Sequence, residues 1–585
     1  MYGNARAETP RIDALAASGV RFTAAYAHNV ITLASHANIL SGRLPFEHGV
    51  HDNSGFRFPA GLDTAATLLK RAGYRTGAFV SAFTVDSQFG LDRGFDVYDD
   101  DFADAGPRPA FLIQERPGTE TVQRAKRWID GASTQPYFCW VHIFEPHYPY
   151  TPPEPFAARF ADRPYDGEVA AADAALAPLL DPILNAGTNG GTLVILTSDH
   201  GESLGEHGEA THGIFAYDAT LKVPLVVYAP QLWRPRVIDQ PAFHIDLLPT
   251  MLDAVGLPVP STLRGRSLVD ALAGGTLPTR TGYFEALSAM LTRGWAPLRG
   301  IIDGESKYID LPIRELYDLR ADLHETRNLA DGQPARADAM RSRLVTFGAV
   351  NEAIERSPEN AEVRERLRSL GYLSGPGSGV QGPGSTRYTG DDDPKRLIDL
   401  ESLQQEVIGL YMRGDLNQAL TKCRELVARR PTMATSLLDL AHLEREAGHL
   451  PAAIDALERA LALRRGDAET AALLGGYLTQ ANRAQAAVSL LQPYAREAHP
   501  DTRVLVSLAI AQARIGDAPG ARATIARARD EDPSSAMLLV DSGTVYLMGN
   551  DREQARTAFE HALQINPKVA RAHSSLGMLD AESGR

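Results

Sequence analysis

Acidic and imidazole side chains follow two apolar segments of the chain, close to where each segment ends. His147 comes shortly after residues 137–144 (YFCWVHIF), and Asp199 and His200 come shortly after residues 192–197 (TLVILT). In open α/β sheets, ligands bind beyond the carboxyl ends of the strands. A carboxylate and an imidazole at such a strand end can share one divalent cation. Asp199 and His200 are therefore candidate metal ligands; the alternative is a helix cap beside a surface histidine.

The hydroxyl of Thr32 is the candidate nucleophile. It precedes residues 33–41, for which we predict a helix, and the N-terminal amides of a helix favour developing negative charge. An ordinary hydroxyl is a poor nucleophile, but coordination to a metal lowers its pKa and makes attack on sulfur or phosphorus feasible. From the residues alone, Thr32 is better explained as a helix N-cap.

A scaffold of alternating strands and helices must position these side chains. The N-terminal region alternates strand-like and helix-like segments, which predicts an α/β fold. Buried strands are predicted at 137–144, 192–197 and 223–228. Helices are predicted at 9–19, 62–73 and 119–131.

Length and composition limit the class of protein. The chain has 585 residues, more than one hydrophobic core normally holds, so we expect at least two domains. A net charge of -14 argues against nucleic-acid binding as the main function. The two cysteines, Cys139 and Cys423, exclude a disulfide framework and a cysteine-rich zinc site. We predict no transmembrane segment and see no signal-peptide pattern in the polar start MYGNARAETPRI.

A glycine-rich segment separates two regions of different character. Residues 371–390 contain seven glycines and two prolines, a composition typical of a flexible linker. We therefore predict a first domain over 1–350, a linker over 351–395 and a second domain over 396–585.

The second region repeats with a period of 34 residues. Alanines recur at this spacing at Ala419, Ala453, Ala487, Ala521 and Ala555. Four positions after each alanine stands an apolar residue: Cys423, Leu457, Leu491, Ile525 and Phe559. A small residue lets two antiparallel helices approach closely, and the large one fills the groove between them. This pattern resembles the tetratricopeptide repeat and implies an all-α solenoid that binds a protein partner.

The first region resembles the sulfatase family. Residues 32–42, TLASHANILSG, are similar to the family signature Cys/Ser-x-Pro-Ser-Arg-x-x-x-Leu-Thr-Gly. Four more segments match the family in order: TPRIDALAASGVRFTAAYA at 9–27, TSDHGESLGEHGEATHG at 197–213, HIDLLPTMLDAVGLPVP at 244–260 and ELYDLRADLHETRNL at 315–329. The resemblance implies an alkaline-phosphatase-type α/β sandwich with a smaller C-terminal subdomain.

The resemblance also implies a site and a cofactor. Thr32 takes the nucleophile position, and Asp199, His200 and Thr32 take metal-ligand positions for a divalent cation (Ca, Mg, Mn or Zn). His147 and His212 take positions that contact the anionic group of the ester or protonate its leaving group. Residue His36 replaces the arginine that normally supports the nucleophile. Glu145 is considered as a partner that orients the imidazole of His147.

The sequence departs from the family in three ways. Thr32 cannot form the formylglycine aldehyde that sulfatases make from Cys or Ser, so we expect direct attack by its hydroxyl. Residues 73–76, GYRT, are not followed by the family's Gly-Lys-Trp-His, which holds sulfate in many arylsulfatases. The apolar strand with metal-binding acids that normally precedes Tyr2 is absent, which would leave the backbone of its neighbours unpaired. We therefore expect Met1 to be an internal start or the sequence to be a fragment.

These observations favour a metal-dependent hydrolase of sulfate or phosphate esters with an anionic ester substrate. One alternative is a catalytically impaired pseudoenzyme that acts through its repeats. A second alternative is a transferase of phospho-groups to envelope glycans or lipids. Localisation is not readable from these residues; a periplasmic or extracytoplasmic location would follow if an export signal lay upstream.

Overall fold

The computed structural model describes residues 4, 6–102, 115–131, 134–348, 354, 388–533, 535–567 and 569–583. These residues form two compact units, the first ending at Ser402 and the second beginning at Leu403. Most of the predicted linker lies outside the described residues, so the predicted domain limits stay predictions. Each unit is described by itself below.

The first unit alternates strands and helices, as predicted for an α/β fold. Its strands are β1 (Val20–Tyr26), β2 (Arg75–Phe79), β3 (Val97–Asp99), β4 (Tyr137–Val141), β5 (Val194–Thr197), β6 (Lys222–Tyr228), β7 (Arg236–Ile238), β8 (Ala242–Phe243), β9 (Thr281–Ala286), β10 (Leu298–Asp303), β11 (Ser306–Asp310) and β12 (Glu315–Asp318). Its helices are α1 (Pro10–Ser18), α2 (Thr32–Ser41), α3 (Pro45–His48), α4 (Ala65–Arg71), α5 (Gly118–Asp130), α6 (Phe156–Arg159), α7 (Pro164–Ala175), α8 (Ala177–Ala186), α9 (Asp218–Leu221), α10 (Leu247–Ala254), α11 (Val269–Leu272), α12 (Ser288–Arg293) and α13 (Pro334–Val345). All the strands and helices that the sequence predicted in this region are confirmed within a few residues of their ends.

Three sheets organise this unit. The largest has the order β5-β6-β1-β7, with β8 also paired to β1. In it β6 runs antiparallel to both β1 and β5, while β7 and β8 run parallel to β1. A second, parallel sheet has the order β3-β2-β4. The third is the antiparallel sheet β12-β11-β10-β9, which is the expected smaller C-terminal subdomain.

Strands β4 and β5 each have a free edge among the described residues. β4 pairs only with β2, and β5 pairs only with β6. Every residue of β4 and β5 keeps partial exposure, whereas β2 and β6 are mostly buried. A free edge leaves backbone amides and carbonyls on one side without a strand partner.

The C-terminal helices form antiparallel pairs with short turns. The helices after residue 388 are α14 (Pro394–Met412), α15 (Leu416–Arg429), α16 (Ala434–Glu446), α17 (Leu450–Leu463), α18 (Ala468–Gln480), α19 (Ala484–Leu491), α20 (Thr502–Arg514), α21 (Ala518–Glu531), α22 (Ala536–Met548), α23 (Arg552–Ile565) and α24 (Ala570–Ser583). Gly414, Gly448 and Gly516 have positive φ in the turns, a conformation that glycine adopts without strain. The five alanines of the 34-residue pattern and the apolar residues four positions later are all buried.

No single helix in the described part of the chain is both long enough and apolar enough to cross a membrane. One bent pair, Pro164–Ala175 with Ala177–Asn189, meets the requirement by length and composition alone, with a bend of 56°.

Two glycines at the same position of the 34-residue pattern give a matched test of helix packing. A methyl group at Gly543 would lie 2.4 Å from the ring of Phe559, whereas one at Gly577 would meet no atom within 4 Å. We expect Gly543→Ala to lower the free energy of unfolding of the second unit by about 1–2 kcal/mol, because overpacking outweighs the gain in helix propensity. Gly577→Ala should raise it slightly. Denaturant titration followed by circular dichroism measures both, and equal effects would contradict this packing.

Candidate active site

Helix α2 places Thr32 and His36 on one face. The helix begins at Thr32 itself, because the preceding Ile31 is extended and occupies the N-cap. The explanation of Thr32 as an N-cap is therefore wrong. The first turn is fixed from outside the helix: Leu33 donates its backbone N–H to Asn53 Oδ1 at 2.8 Å. Residues i and i+4 are neighbours on a helix surface, so Thr32 and His36 lie beside each other.

The loop after β5 brings Asp199 and His200 to this face of α2. One carboxylate oxygen of Asp199 lies 3.7 Å from His36 Nε2 and 3.4 Å from His200 Nε2. Gly201 allows the loop to turn tightly, since a Cβ there would lie 2.2 Å from the backbone oxygen of Ala219. The structure thus joins residues that are far apart in sequence.

Among His36, Asp199 and His200, the charge lies on the carboxylate of Asp199. Burial lowers the pKa of His36 to about 3, so its imidazole is neutral and its proximity to Asp199 is not an ion pair. Burial also lowers the pKa of His200. For Asp199 burial acts in the opposite direction, but the surrounding imidazoles outweigh it and the pKa of the carboxyl group falls. At neutral pH, Asp199 is therefore a carboxylate beside the neutral imidazoles of His36 and His200.

The two histidines predicted to act on the leaving group lie next to this cluster. The ring centroids of His212 and His200 are 4.2 Å apart, and those of His212 and His147 are 5.2 Å apart. His212 Nδ1 lies 3.3 Å from Glu202 Oε1. Burial lowers the pKa of His212, but the Glu202 carboxylate raises it more, and the net shift is upward. Burial lowers the pKa of His147 to about 3, and its Nε2 has no hydrogen-bond partner among the described residues.

Sequence reasoning missed three residues of the site, namely Glu202, His142 and His244. His142 follows β4, and its ring meets that of His36 edge-on with centroids 4.9 Å apart. His244 Nε2 lies 3.0 Å from the backbone oxygen of Ser198, next to Asp199. The available signals were the place of Glu202 two residues beyond His200, that of His142 near the end of the strand predicted at 137–144, and that of His244 at the start of the family-like segment 244–260. Burial lowers the pKa of both histidines to about 4.

Buried glutamates hold the two loops that carry His147 and His212. Glu168 on α7 accepts the N–H groups of His147, at 2.9 Å, and of Thr151, at 2.6 Å. Glu209 accepts the N–H of Ile214 at 2.7 Å, shortly after His212. Burial raises the pKa of Glu168 to about 7 and that of Glu209 to about 8.

The expectation that Glu145 orients the imidazole of His147 is wrong. Both carboxylate oxygens of Glu145 instead accept the N–H of Gly118, at 3.1 and 3.2 Å. That N–H is at the N-terminus of α5, where a carboxylate is favourable. His147 Nδ1 lies 2.6 Å from the backbone oxygen of Tyr148.

The described residues do not form a complete metal centre. A hydroxyl, a carboxylate and imidazoles are suitable donors for a divalent cation. However, no group of three His, Cys, Asp or Glu side chains is arranged to hold a metal ion in the described ranges. Thr32, Asp199 and His200 therefore stay a prediction as ligands, and no chemical step is derived through a metal.

Comparison with known families agrees with this geometry. Residues 1–257 match the family model described as Sulfatase, and residues 205–346 match the one described as N-sulphoglucosamine sulphohydrolase, C-terminal. Over these residues the α/β part of the chain is therefore similar to the sulfatase family.

Curated relatives support the same assignment. The chain is 26% identical over 399 residues to the uncharacterized sulfatase YidJ of Escherichia coli (strain K12), covering 56% of this chain and 80% of YidJ. It is 24% identical over 466 residues to a Delta 4,5-hexuronate-2-O-sulfatase of Bacteroides thetaiotaomicron, covering 65% of this chain and 92% of that enzyme. Both relatives are named as sulfatases.

Solved structures show the fold. Ps i-CgsB superposes with a TM-score of 0.52 at 19% identity, covering 63% of this chain and 93% of its own. The putative sulfatase yidJ of Bacteroides fragilis superposes with a TM-score of 0.50 at 19% identity, covering 59% and 91%. The described α/β unit thus has a sulfatase-like fold, and the C-terminal helices follow it.

The raised pKa of Glu209 predicts a pH dependence of stability. Its folded pKa of about 8 exceeds the ordinary value of 4.5, so the folded protein keeps a proton that the unfolded chain releases. The stabilisation is complete below about pH 4.5 and is lost as pH rises through about 8. We expect Glu209→Gln to flatten this part of the pH dependence by a few kcal/mol between pH 5 and 8.5. Denaturant titration at both pH values measures it.

The exposed Glu305→Gln is the matched control for the pH series, since this side chain is 63% exposed. Glu305→Gln should leave the pH dependence of the free energy of unfolding as it is in the unmodified chain. A slope unchanged by Glu209→Gln would show that Glu209 titrates normally in the folded protein.

Proposed function

We propose that this chain hydrolyses anionic esters, sulfate or phosphate, with the Thr32 hydroxyl as the nucleophile. The observation that supports this proposal most directly is the 3.7 Å separation of His36 Nε2 and Asp199 Oδ2. Because Thr32 and His36 share one face of α2, that separation brings the hydroxyl to the same cluster as Asp199 and His200. The helix N-terminus adds a partial positive charge where the ester's anionic group would lie.

The reaction we propose has two steps. The Thr32 oxygen forms a bond to sulfur or phosphorus while the bond to the ester oxygen breaks, and the hydroxyl proton passes to an imidazole of the cluster. The departing oxygen takes a proton from a histidine, and water then cleaves the covalent intermediate and restores Thr32. The contacts run from His36 through Asp199 and His200 to His212 and His147. In this series the nucleophile's helix is at one end and the histidines that act on the leaving group are at the other, as the proposed order of steps requires.

His212 is the better candidate for protonating the leaving group. Its Nδ1 is engaged by the Glu202 carboxylate, which fixes the ring and leaves Nε2 available. His147 lies beside it, with an Nε2 that has no partner among the described residues. We therefore assign His147 to contact with the anionic group, and His212 to proton donation.

The names of the relatives favour sulfate esters of saccharides as the first substrates to test. One curated relative is a Delta 4,5-hexuronate-2-O-sulfatase and another is an N-acetylglucosamine-6-O-sulfatase. Phosphate mono- and diesters belong in the same panel, because Thr32 attacks phosphorus and sulfur by the same chemistry. A product carrying the transferred group on an added sugar or lipid alcohol would indicate the transferase.

For the C-terminal helices we propose a tetratricopeptide-like module that binds a protein partner. The support is the burial of the 34-residue pattern. Ala453 and Leu457 on α17 are completely buried, in a core that they share with residues of α16 and α18. Cys423 occupies the corresponding core position and is buried, so it serves packing.

The incomplete metal centre favours one rival, a pseudoenzyme that acts through its repeats. Metal analysis of the purified protein, together with the substrate panel, separates the two. Bound divalent metal with turnover supports the hydrolase and the predicted metal dependence. Neither metal nor turnover with any substrate supports the pseudoenzyme.

Substitution of Thr32 tests the proposed nucleophile. We expect Thr32→Ala to lower kcat by roughly 100-fold or more, because no other hydroxyl replaces the attacking oxygen. Thr32→Ser should keep a measurable part of the activity, since it keeps the hydroxyl. Steady-state rates on the best substrate of the panel measure both.

Thr524→Ala is the matched control for a buried threonine outside the site. Its side chain is 8% exposed and donates to Gln512 Oε1 in the second unit. It should leave kcat unchanged. Activity that survives Thr32→Ala undiminished would remove Thr32 from the mechanism.

A further inference from the structure

The segment that opens the C-terminal helical region is built into the first unit. We call residues 388–402 the anchor segment. The backbone oxygen of Asp392 accepts the N–H of Ala296 at 2.8 Å. Asp393 is fully buried, and its Oδ2 accepts the N–H of Ile313 at 2.8 Å. The domain boundary that composition predicts at residue 395 falls inside the anchor segment, although these contacts join the segment to the first unit.

Lys395 connects the anchor segment to the loop that carries His212. We call residues 203–217 the His212 loop. Lys395 Nζ donates to the backbone oxygen of Ile313 at 2.8 Å and to Glu315 Oε1 at 2.6 Å. The other oxygen of Glu315 accepts the hydroxyl of Tyr217 at 2.7 Å. Glu315 is 1% exposed, so one buried carboxylate joins the lysine to the end of the loop.

A second contact lies nearer to His212. A Cβ built on Gly208 would lie 3.4 Å from Ile398 Cγ2, so the anchor segment packs directly against the loop. The next residue, Glu209, holds the chain after His212 through its bond to Ile214. Burial and, to a smaller degree, the charge of Glu401 raise the pKa of Glu209. Arg293 in turn pairs with Glu401.

The His212 loop has little regular structure to hold it. Apart from one short 3-10 turn, Glu206–Gly208, its described residues lie outside helices and strands. Backbone hydrogen bonds from Ser203 N–H to the oxygen of Thr211, at 2.7 Å, and from Gly205 N–H to that of Glu209, at 3.0 Å, close the first part of the loop. The part from His212 to Tyr217 depends on the side-chain contacts of Glu209 and Tyr217. Segments of this kind open locally at low free-energy cost when such contacts are removed.

From this geometry we infer that the anchor segment positions the active site: Lys395, acting through Glu315 and Tyr217, holds the loop that carries His212. Lys395 is a positioning residue and touches no reacting group. The catalytic part of this inference rests on the proposed function, whereas the structural part does not.

Hydrogen exchange of the full chain tests the structural part. Lys395→Met removes the ammonium group, and we expect backbone amides of residues 203–217 to exchange about 10-fold faster. Lys422→Met is the matched control, because that lysine pairs with Glu406 in the C-terminal helices and is 36% exposed. It should leave exchange in the His212 loop unchanged. Equal exchange of the loop in the two variants would overturn the inference.

Further variants keep the test decisive. Lys395 Nζ also lies 3.1 Å from Asp393 Oδ1, so Lys395→Met leaves two buried carboxylates without their ammonium partner, which can destabilise the whole unit. The double variant Lys395→Met/Glu315→Gln removes the charges of Lys395 and Glu315, and where the single variant does not fold the same loop criterion applies to the double variant. Lys395→Arg, which keeps the charge, should restore most of the protection.

Kinetics test the catalytic part. With an active substrate, Lys395→Met should lower kcat by about 10-fold to 100-fold and change KM by less than about 3-fold, because a displaced His212 affects the chemical step. If Lys395→Met speeds exchange of the loop but the unmodified chain hydrolyses none of the substrates, the proposed function is wrong and the positioning role of Lys395 stands. Faster exchange with unchanged kcat would show that His212 does not depend on this loop for catalysis, and would overturn the catalytic part.

Discussion

The approach of His36 to the Asp199 carboxylate is the arrangement on which the rest of the site depends. It brings the first turn of α2 to the end of β5, two elements separated by more than 150 residues of chain. The imidazoles around Asp199 lower the pKa of its carboxyl group in the acidic range, where they carry charge themselves. Burial lowers the pKa of His36 to about 3, so at neutral pH the Asp199 carboxylate faces a neutral imidazole. Without this arrangement, Thr32 would be an ordinary hydroxyl at the start of a helix.

Local sequence patterns were sufficient to predict most elements of the α/β unit. Apolar runs predicted β4, β5 and β6, since buried strands read as continuous apolar segments. The rule that ligands bind beyond strand ends then selected Asp199, His200 and His147, and the structure brings all three into one cluster with His36 and His212. The resemblance to sulfatases supplied Thr32, which no local pattern distinguishes from a cap.

Long-range side-chain contacts could not be predicted from the same patterns. Glu202 reaches His212 ten residues away only because the intervening loop folds back, and Lys395 meets Glu315 across 80 residues. From composition, the helical region was predicted to start after residue 395. Glycine and proline indicate a linker, but they do not show which residues beside it form buried ion pairs with the first unit. The pairing of Glu145 with α5 rather than with His147 was missed for the same reason.

The free edges of β4 and β5 connect the fold to the chemistry. The two strands belong to different sheets, and both end at the cluster of histidine and carboxylate side chains: His142 follows β4, and Asp199 follows β5. Among the described residues, each of these strands pairs on one side alone. The proposed chemistry depends on Thr32, His36 and Asp199, and metal ligation stays a prediction.

The most direct test is a crystal structure of the protein soaked with vanadate, which mimics the five-coordinate transition state of group transfer. The account predicts vanadate within bonding distance of the Thr32 hydroxyl oxygen, with the His212 ring facing its opposite oxygen. Vanadate bound at the cluster through other residues, with the Thr32 hydroxyl turned away, would contradict it.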